Sequence, residues 1–168
     1  YAALLVNRGI TTEAQAAEFI TPTLSSLSDP FLMKGVEEAV ERILIAKSRS
    51  ETICIHGDYD VDGVTAVVVL TAFFRAVSIP VCYLIPRRVE EGYGLSRDGV
   101  DEAKRLGAKV LITVDCGITS VTEADYCRES GIDLIITDHH TPGEIIPAAH
   151  AVINPLQPGC SSPFTKFA

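Results

Sequence analysis

No stretch of this sequence approaches the ~20 consecutive apolar residues needed to cross a bilayer, although 47% of its 168 residues are hydrophobic and the mean hydropathy is +0.26. A basic-then-apolar signal segment is missing from the opening residues as well, so no membrane partner is expected. Cysteine spacing of the metal-binding or disulfide kind is also lacking. Cys54, Cys82, Cys116, Cys127 and Cys160 form no CxxC pair and are odd in number, which speaks against a zinc ribbon or a disulfide framework. Three of them lie in or beside apolar runs, the usual setting of a small buried thiol, and the compartment expected is the reducing cytoplasm. Basic charge is in deficit, 14 Lys+Arg against 22 Asp+Glu for a net −8. That excludes a grip on nucleic acid through phosphate neutralisation alone. Internal repeats and low-complexity tracts are absent too.

What is present alternates. TTEAQAAEF (11–19) predicts a short helix with Thr12 as N-cap and Gln15 closing a capping box. The Pro/Ser-rich TPTLSSLSDPF (21–31) follows as a connector. Val36, Ala39, Val40, Ile43 and Leu44 then mark an amphipathic helix from about Val36 to Ser48. From Thr52 onward the runs TICIH (52–56), VCYLI (81–85), KVLITV (109–114), DLIIT (133–137) and HAVIN (150–154) read as five strands. Between them lie an apolar, buried helix over 63–77 (GVTAVVVLTAFFRAV), a polar helix over about 96–106 closed by Gly107, and a third over about 119–130. Strands apolar on both faces and separated by helices predict an α/β fold, a parallel sheet of about five strands with helices on both faces. A short helical segment, residues 1–50, precedes the sheet domain, residues 51–168. The chain opens on Tyr1 rather than Met and closes on GCSSPFTKFA without a terminating signal, so a piece of a longer protein is expected.

The chemistry collects after the strands. HGDYDVDG (56–63) sets His56, Asp58, Asp60 and Asp62 behind the first, and IPRRVEEGYG sets Arg87, Arg88, Glu90 and Glu91 behind the second. Asp115 follows the third in TVDCGIT, and Asp138, His139 and His140 follow the fourth in ITDHH. Parallel strands end on one edge of the sheet, the edge where ligands bind, so these residues converge. Each has a plainer use alone. An Asp after a strand commonly caps the next helix, a His pair in a loop is commonly solvated, and the arginines and glutamates can simply pair on the surface. Together, however, so many carboxylates at one rim repel one another and call for a cation. Mixed carboxylate and imidazole ligands without thiolate suit Mn2+ better than structural zinc, with Mg2+ as the oxygen-preferring alternative. More than four ligand candidates imply two ions, held ~3.5–4 Å apart in the arrangement that serves phosphoryl displacement.

HGDYDVDGVT, TVDCGIT and TDHH, in this order and setting, resemble the DHH phosphoesterase family. IPRRVEEGYGLS, NRGI, SDPFLMKGVEEAVERI and INPLQPGC extend the likeness along essentially the whole chain, toward the branch that degrades single-stranded DNA. The resemblance implies metal-dependent 5′→3′ exonuclease hydrolysis releasing mononucleotides in DNA repair and recombination, with single-stranded DNA as partner; repair proteins could join it. It implies that His56 and Asp60 hold one ion and Asp62 the other, that Asp115 bridges them, and that His139 completes the ligand set of the second ion. His140 would face the scissile phosphate, Asp138 would orient the adjacent histidine, Asp58 would ligate or support, and Arg87 or Arg88 would contact DNA phosphate. Family members carry a further metal-binding aspartate and a closing domain, called DHHA1, beyond the point where this sequence stops, so weak or no activity is expected of this stretch alone. The rival expectations are a relative acting on short oligonucleotides or cyclic dinucleotides, and a non-catalytic replication module, which would normally have lost metal ligands that are intact here.

Overall fold

The computed structural model describes residues 1–23, 25, 27–86 and 94–163. The chain divides into two compact units, Tyr1–Pro30 and Phe31–Ala168. The first holds two helices, α1 (Ala2–Val6) and α2 (Glu13–Ile20). At α2 the predicted capping box is in place, with Thr12 accepting from Gln15 N–H at 3.2 Å while Gln15 Oε1 accepts from Thr12 N–H. α1 was not anticipated; five residues, AALLV, are too few to show a helical period.

The second unit runs α3 (Val36–Arg49), β1 (Thr52–Gly57), α4 (Val61–Ala76), β2 (Val81–Leu84), α5 (Arg97–Arg105), β3 (Ala108–Val114), α6 (Val121–Glu129), β4 (Asp133–Thr137) and β5 (Ala151–Ile153). α3 therefore belongs with the sheet rather than with the helical segment that the sequence reading ended at residue 50. Two contacts explain why. A Cβ at Gly35, the α3 N-cap with φ 90°, would fall 2.2 Å from Val152 O, so only glycine lets the helix start press on β5. Arg42 reaches from α3 to Asp133 Oδ2 at 2.6 Å and to Glu51 Oε2 at 2.7 Å. The buried stripe of α3 is accordingly Val36, Ala39, Arg42 and Ala46, while Val40 and Leu44, expected inside, face outward.

All five strands are parallel, in the order β2-β1-β3-β4-β5. Side chains alternate across a strand, so Ile53 and Ile55 enter one core with Val67 and Phe74 of α4, while Cys54 enters the other with Val100 and Ala103 of α5. Helices thus cover both faces, as predicted. α4 is apolar nearly all round, yet only one side of it meets the sheet; Val61, Val68, Val69 and Phe73 are exposed. From β1 the chain crosses outward to β2 and then returns past β1 to β3, so strand order reverses between β1 and β3. The carboxyl ends of two such strands bracket a crevice, and the aspartate loops leave from there.

Candidate metal centre

The loop after β1 is shaped by its glycines. A Cβ at Gly57 would lie 2.3 Å from Val67 Cγ2, and one at Gly63 2.6 Å from both the N and O of Asp58. The first turn of α4 therefore packs directly on the backbone that carries the aspartates. Asp60, not Asp62, caps α4; its Oδ1 accepts from the N–H of Asp62 at 2.9 Å and of Gly63 at 3.0 Å. These N–H groups, Gly63 first, hold the Asp60 carboxyl below its usual range. Asp58 is 3% exposed, and among the described residues its buried Oδ1 has no hydrogen-bond partner.

Asp115 directly follows β3 in the left-handed region, φ 61°, a conformation that aspartate tolerates better than most residues and that recurs at functional sites. Its N–H bonds Thr137 O at 3.0 Å, and its carboxylate lies 2.9 Å from His139 Nε2. Burial, and after it the charges of Asp62 and Asp60, push its carboxyl up, against the pull of His139. Asp138 collects three contacts on Oδ1, from His139 N–H (2.8 Å), His140 N–H (3.1 Å) and His140 Nδ1 (2.7 Å), and one on Oδ2 from Ile118 N–H (2.9 Å). Burial opposes a charge on His140, but the carboxylates around it, Asp138 foremost, outweigh that and raise its pKa.

Two ligand clusters result. Asp58, Asp60 and Asp115 each offer one atom within 4.8 Å of the others, as do Asp115, His139 and His140. Asp115 is common to both, the position of a carboxylate shared between two ions. Asp62 stands 3.8 Å from His139 Nε2, and it lines a groove of about 420 Å³ with Asp115, Asp138, His139 and the apolar wall Ala66, Val69 and Leu70. The residues fit two divalent cations. A buried oxygen without a partner among the described residues, and a carboxyl driven up by burial and then by its charged neighbours, mark a carboxylate cluster suited to a cationic counter-charge.

His56 does not join them. It is 1% exposed, on the strand face that Cys54 occupies, with Nδ1 4.0 Å from Cys116 Sγ and the ring against α5, where a Cβ at Gly99 would sit 3.2 Å from Nε2. Burial lowers its pKa to about 4. Among the described residues Asp60 clusters with Asp58 rather than with His56, against the expected pairing, because His56 still lies within β1, on the face it shares with Cys54, while Asp58 and Asp60 lie in the loop beyond the strand end. Arg87, Arg88, Glu90 and Glu91 lie outside the described residues. Sequence reasoning gave no role to Asn154, which is fully buried and donates to His140 O at 2.9 Å; the INPLQPGC run held the signal without indicating the contact.

The profile of the DHH family, N-terminal domain, matches residues 52–165. The single-stranded-DNA-specific exonuclease RecJ of Bacillus subtilis is 44% identical over 167 residues, 99% of this chain and 21% of its own length. That of Escherichia coli is 41% identical over 137 residues, 81% of this chain and 24% of its own. Among solved structures, exonuclease RecJ bound to manganese aligns with a TM-score of 0.71 at 37% identity, covering 79% of this chain and 34% of that one. RecJ from Thermus thermophilus in complex with Mn2+ aligns with a TM-score of 0.72 at 32% identity, covering 96% of this chain and 22% of that one. The chain thus spans about a fifth to a quarter of the length of the curated relatives described here.

Proposed function

Because the chain belongs to the DHH family, we propose that its strand-end rim is the metal-binding part of an exonuclease that degrades single-stranded DNA in the 5′→3′ direction and releases mononucleotides in the cytoplasm. The observation that carries this reading is the sharing of Asp115 by two ligand clusters, one of them containing the unpartnered Asp58 Oδ1. Manganese is the proposed cofactor, since relatives at 32% and 37% identity are described as manganese complexes and the donor set mixes carboxylate with imidazole.

Asp58, Asp60 and Asp115 would hold one ion, and Asp115 and His139, with Asp62 beside them, the other. Bound there, the two cations supply Lewis-acid charge for the phosphate oxygens and lower the pKa of a water. Asp138 accepts from His140 Nδ1 and so fixes which edge of that ring is turned toward substrate. His140, with its raised pKa, would bring positive charge and a proton to the oxygen that leaves phosphorus. Asp60 keeps one oxygen on the α4 N-terminus, which orients the other without a flexible side chain. Arg87 and Arg88 come after β2 in sequence, past Ile85 and Pro86, and are proposed phosphate contacts.

The test is degradation of 5′-phosphorylated single-stranded DNA by the whole protein across a Mn2+ titration, with duplex DNA and a cyclic dinucleotide alongside. Metal-dependent release of mononucleotides from the single strand is expected, and Asp115→Ala abolishes it. Equal activity with Ala at 115, or preference for the dinucleotide, sinks the proposal.

A further inference from the structure

β5 ends where the DHH loop is held. Asp138 N–H bonds Ile153 O at 3.0 Å, and the next residue, Asn154, donates from Nδ2 to His140 O at 2.9 Å while its Oδ1 accepts from Leu156 N–H at 2.7 Å. Asn154 is fully buried. The two side-chain contacts are of different kinds. The bond from Leu156 is an Asx turn, common when a short carbonyl side chain starts a loop, and it needs only an acceptor. Aspartate would serve it equally. The bond to His140 crosses from β5 to the loop after β4 and needs a donor. Asparagine meets both demands at once through two separate atoms; ionised aspartate lacks the donor, and the single oxygen of serine, one bond nearer the backbone, cannot reach both partners. Pro155 then restricts Asn154 to extended backbone, which keeps the amide aimed at the loop.

Resting on the reading of His139 and His140 given above, we propose that Asn154 is a positioning residue that fixes the DHH loop from behind, so that the His140 ring meets Asp138 and the His139 ring meets Asp115. The loop is gripped on two sides. Asp138 takes the N–H groups of residues 139 and 140 and the His140 ring, and Asn154 takes the carbonyl that closes that segment. Without the second grip the peptide after His140 is free to rotate, and the ring loses its 2.7 Å contact with Asp138. Gln157 offers the contrast. It is also buried and also ties down β5, through Val152 O at 2.6 Å and Lys34 O at 3.2 Å, and among the described residues these side-chain hydrogen bonds go elsewhere than the histidine loop.

The experiment is imidazole 1H–15N spectroscopy of the 168-residue chain, which has four histidines, with Mn2+ affinity measured in parallel. Asn154→Asp keeps the Asx acceptor and removes the donor. Its His139 and His140 signals should move while those of His56 and His150 stay, and Mn2+ affinity should fall about 10–100-fold. Gln157→Ala should leave the His139 and His140 signals in place. Unmoved histidine signals in Asn154→Asp overturn the proposal, and so does an equal disturbance in Gln157→Ala, which would mean general loosening of β5. Asn154→Ser repeats the test without added charge; failure of both Asn154 variants to fold overturns it as well, making the residue a core element. If the wild-type chain takes up no Mn2+, the two-ion reading fails, while the histidine spectra still decide the role of Asn154.

Discussion

The Asp115 carboxylate lies 2.9 Å from His139 Nε2 on one side and within 4.8 Å of the ligand atoms of Asp58 and Asp60 on the other. A residue so placed is common to both proposed ions, whereas Asp58 serves one. Asp115→Ala should therefore abolish Mn2+ uptake at concentrations that saturate wild type, and Asp58→Ala should leave one ion per chain. Electron paramagnetic resonance of free Mn2+ counts both. Two ions retained by Asp115→Ala would falsify the shared-ligand assignment.

Asp58 is buried with an oxygen that has no protein partner among the described residues, and it sits among like charges. Without metal, Asp58→Asn should raise stability by about 1 kcal/mol, since the amide is neutral and brings a donor to neighbouring carboxylates. With Mn2+ the order should reverse, because only the wild type gains fully from ion binding, about 2.7 kcal/mol at a metal concentration 100 times Kd. Urea midpoints with and without Mn2+ decide; a variant less stable in both conditions contradicts the account.

His56 titrates at about 4 in the fold against 6.5 for the free side chain, with burial as the cause. Between those values the unfolded chain binds the extra proton, so stability rises with pH across that window. Nothing is lost above pH 6.5; by pH 5 the wild type should have lost about 2 kcal/mol at this residue. His56→Gln, which cannot charge, should lose correspondingly less between pH 7 and pH 5 in urea titrations. Parallel curves for the two proteins would remove the basis for a neutral His56.

Gly63 lets the first turn of α4 touch the Asp58 backbone, where an added Cβ would fall 2.6 Å from N and O. Backbone atoms cannot step aside as a side chain can. Gly63→Ala should cost about 3 kcal/mol and weaken Mn2+ binding together, measured by urea denaturation and metal titration. An alanine variant with wild-type stability would mean the loop has room that the structure denies it.

How much was legible in advance depended on the range of the interaction. The strands were visible because their apolar runs are continuous, and the capping box at Thr12 and Gln15 because it spans only three residues. The burial of Arg42 was not, since its partner Asp133 is 91 positions away. α4 read as a buried helix from the length and all-round apolarity of its run, although its valines alone would permit a strand; its exposed face at Val68, Val69 and Phe73 reflects how many layers meet it, which composition does not encode.

At the metal rim the division is similar. Residue types and order alone determined that Asp58, Asp60, Asp62, Asp115, Asp138, His139 and His140 gather at one edge, because parallel strands must all end on the same side. Which of them face one another was decided only by the tertiary structure. His56 still lies in β1 and packs on α5, Asp60 caps α4, and Asn154 reaches back to His140. Facing depends on strand twist, loop conformation and close glycine contacts, and these are set by the whole packed sheet rather than by any local run of residues.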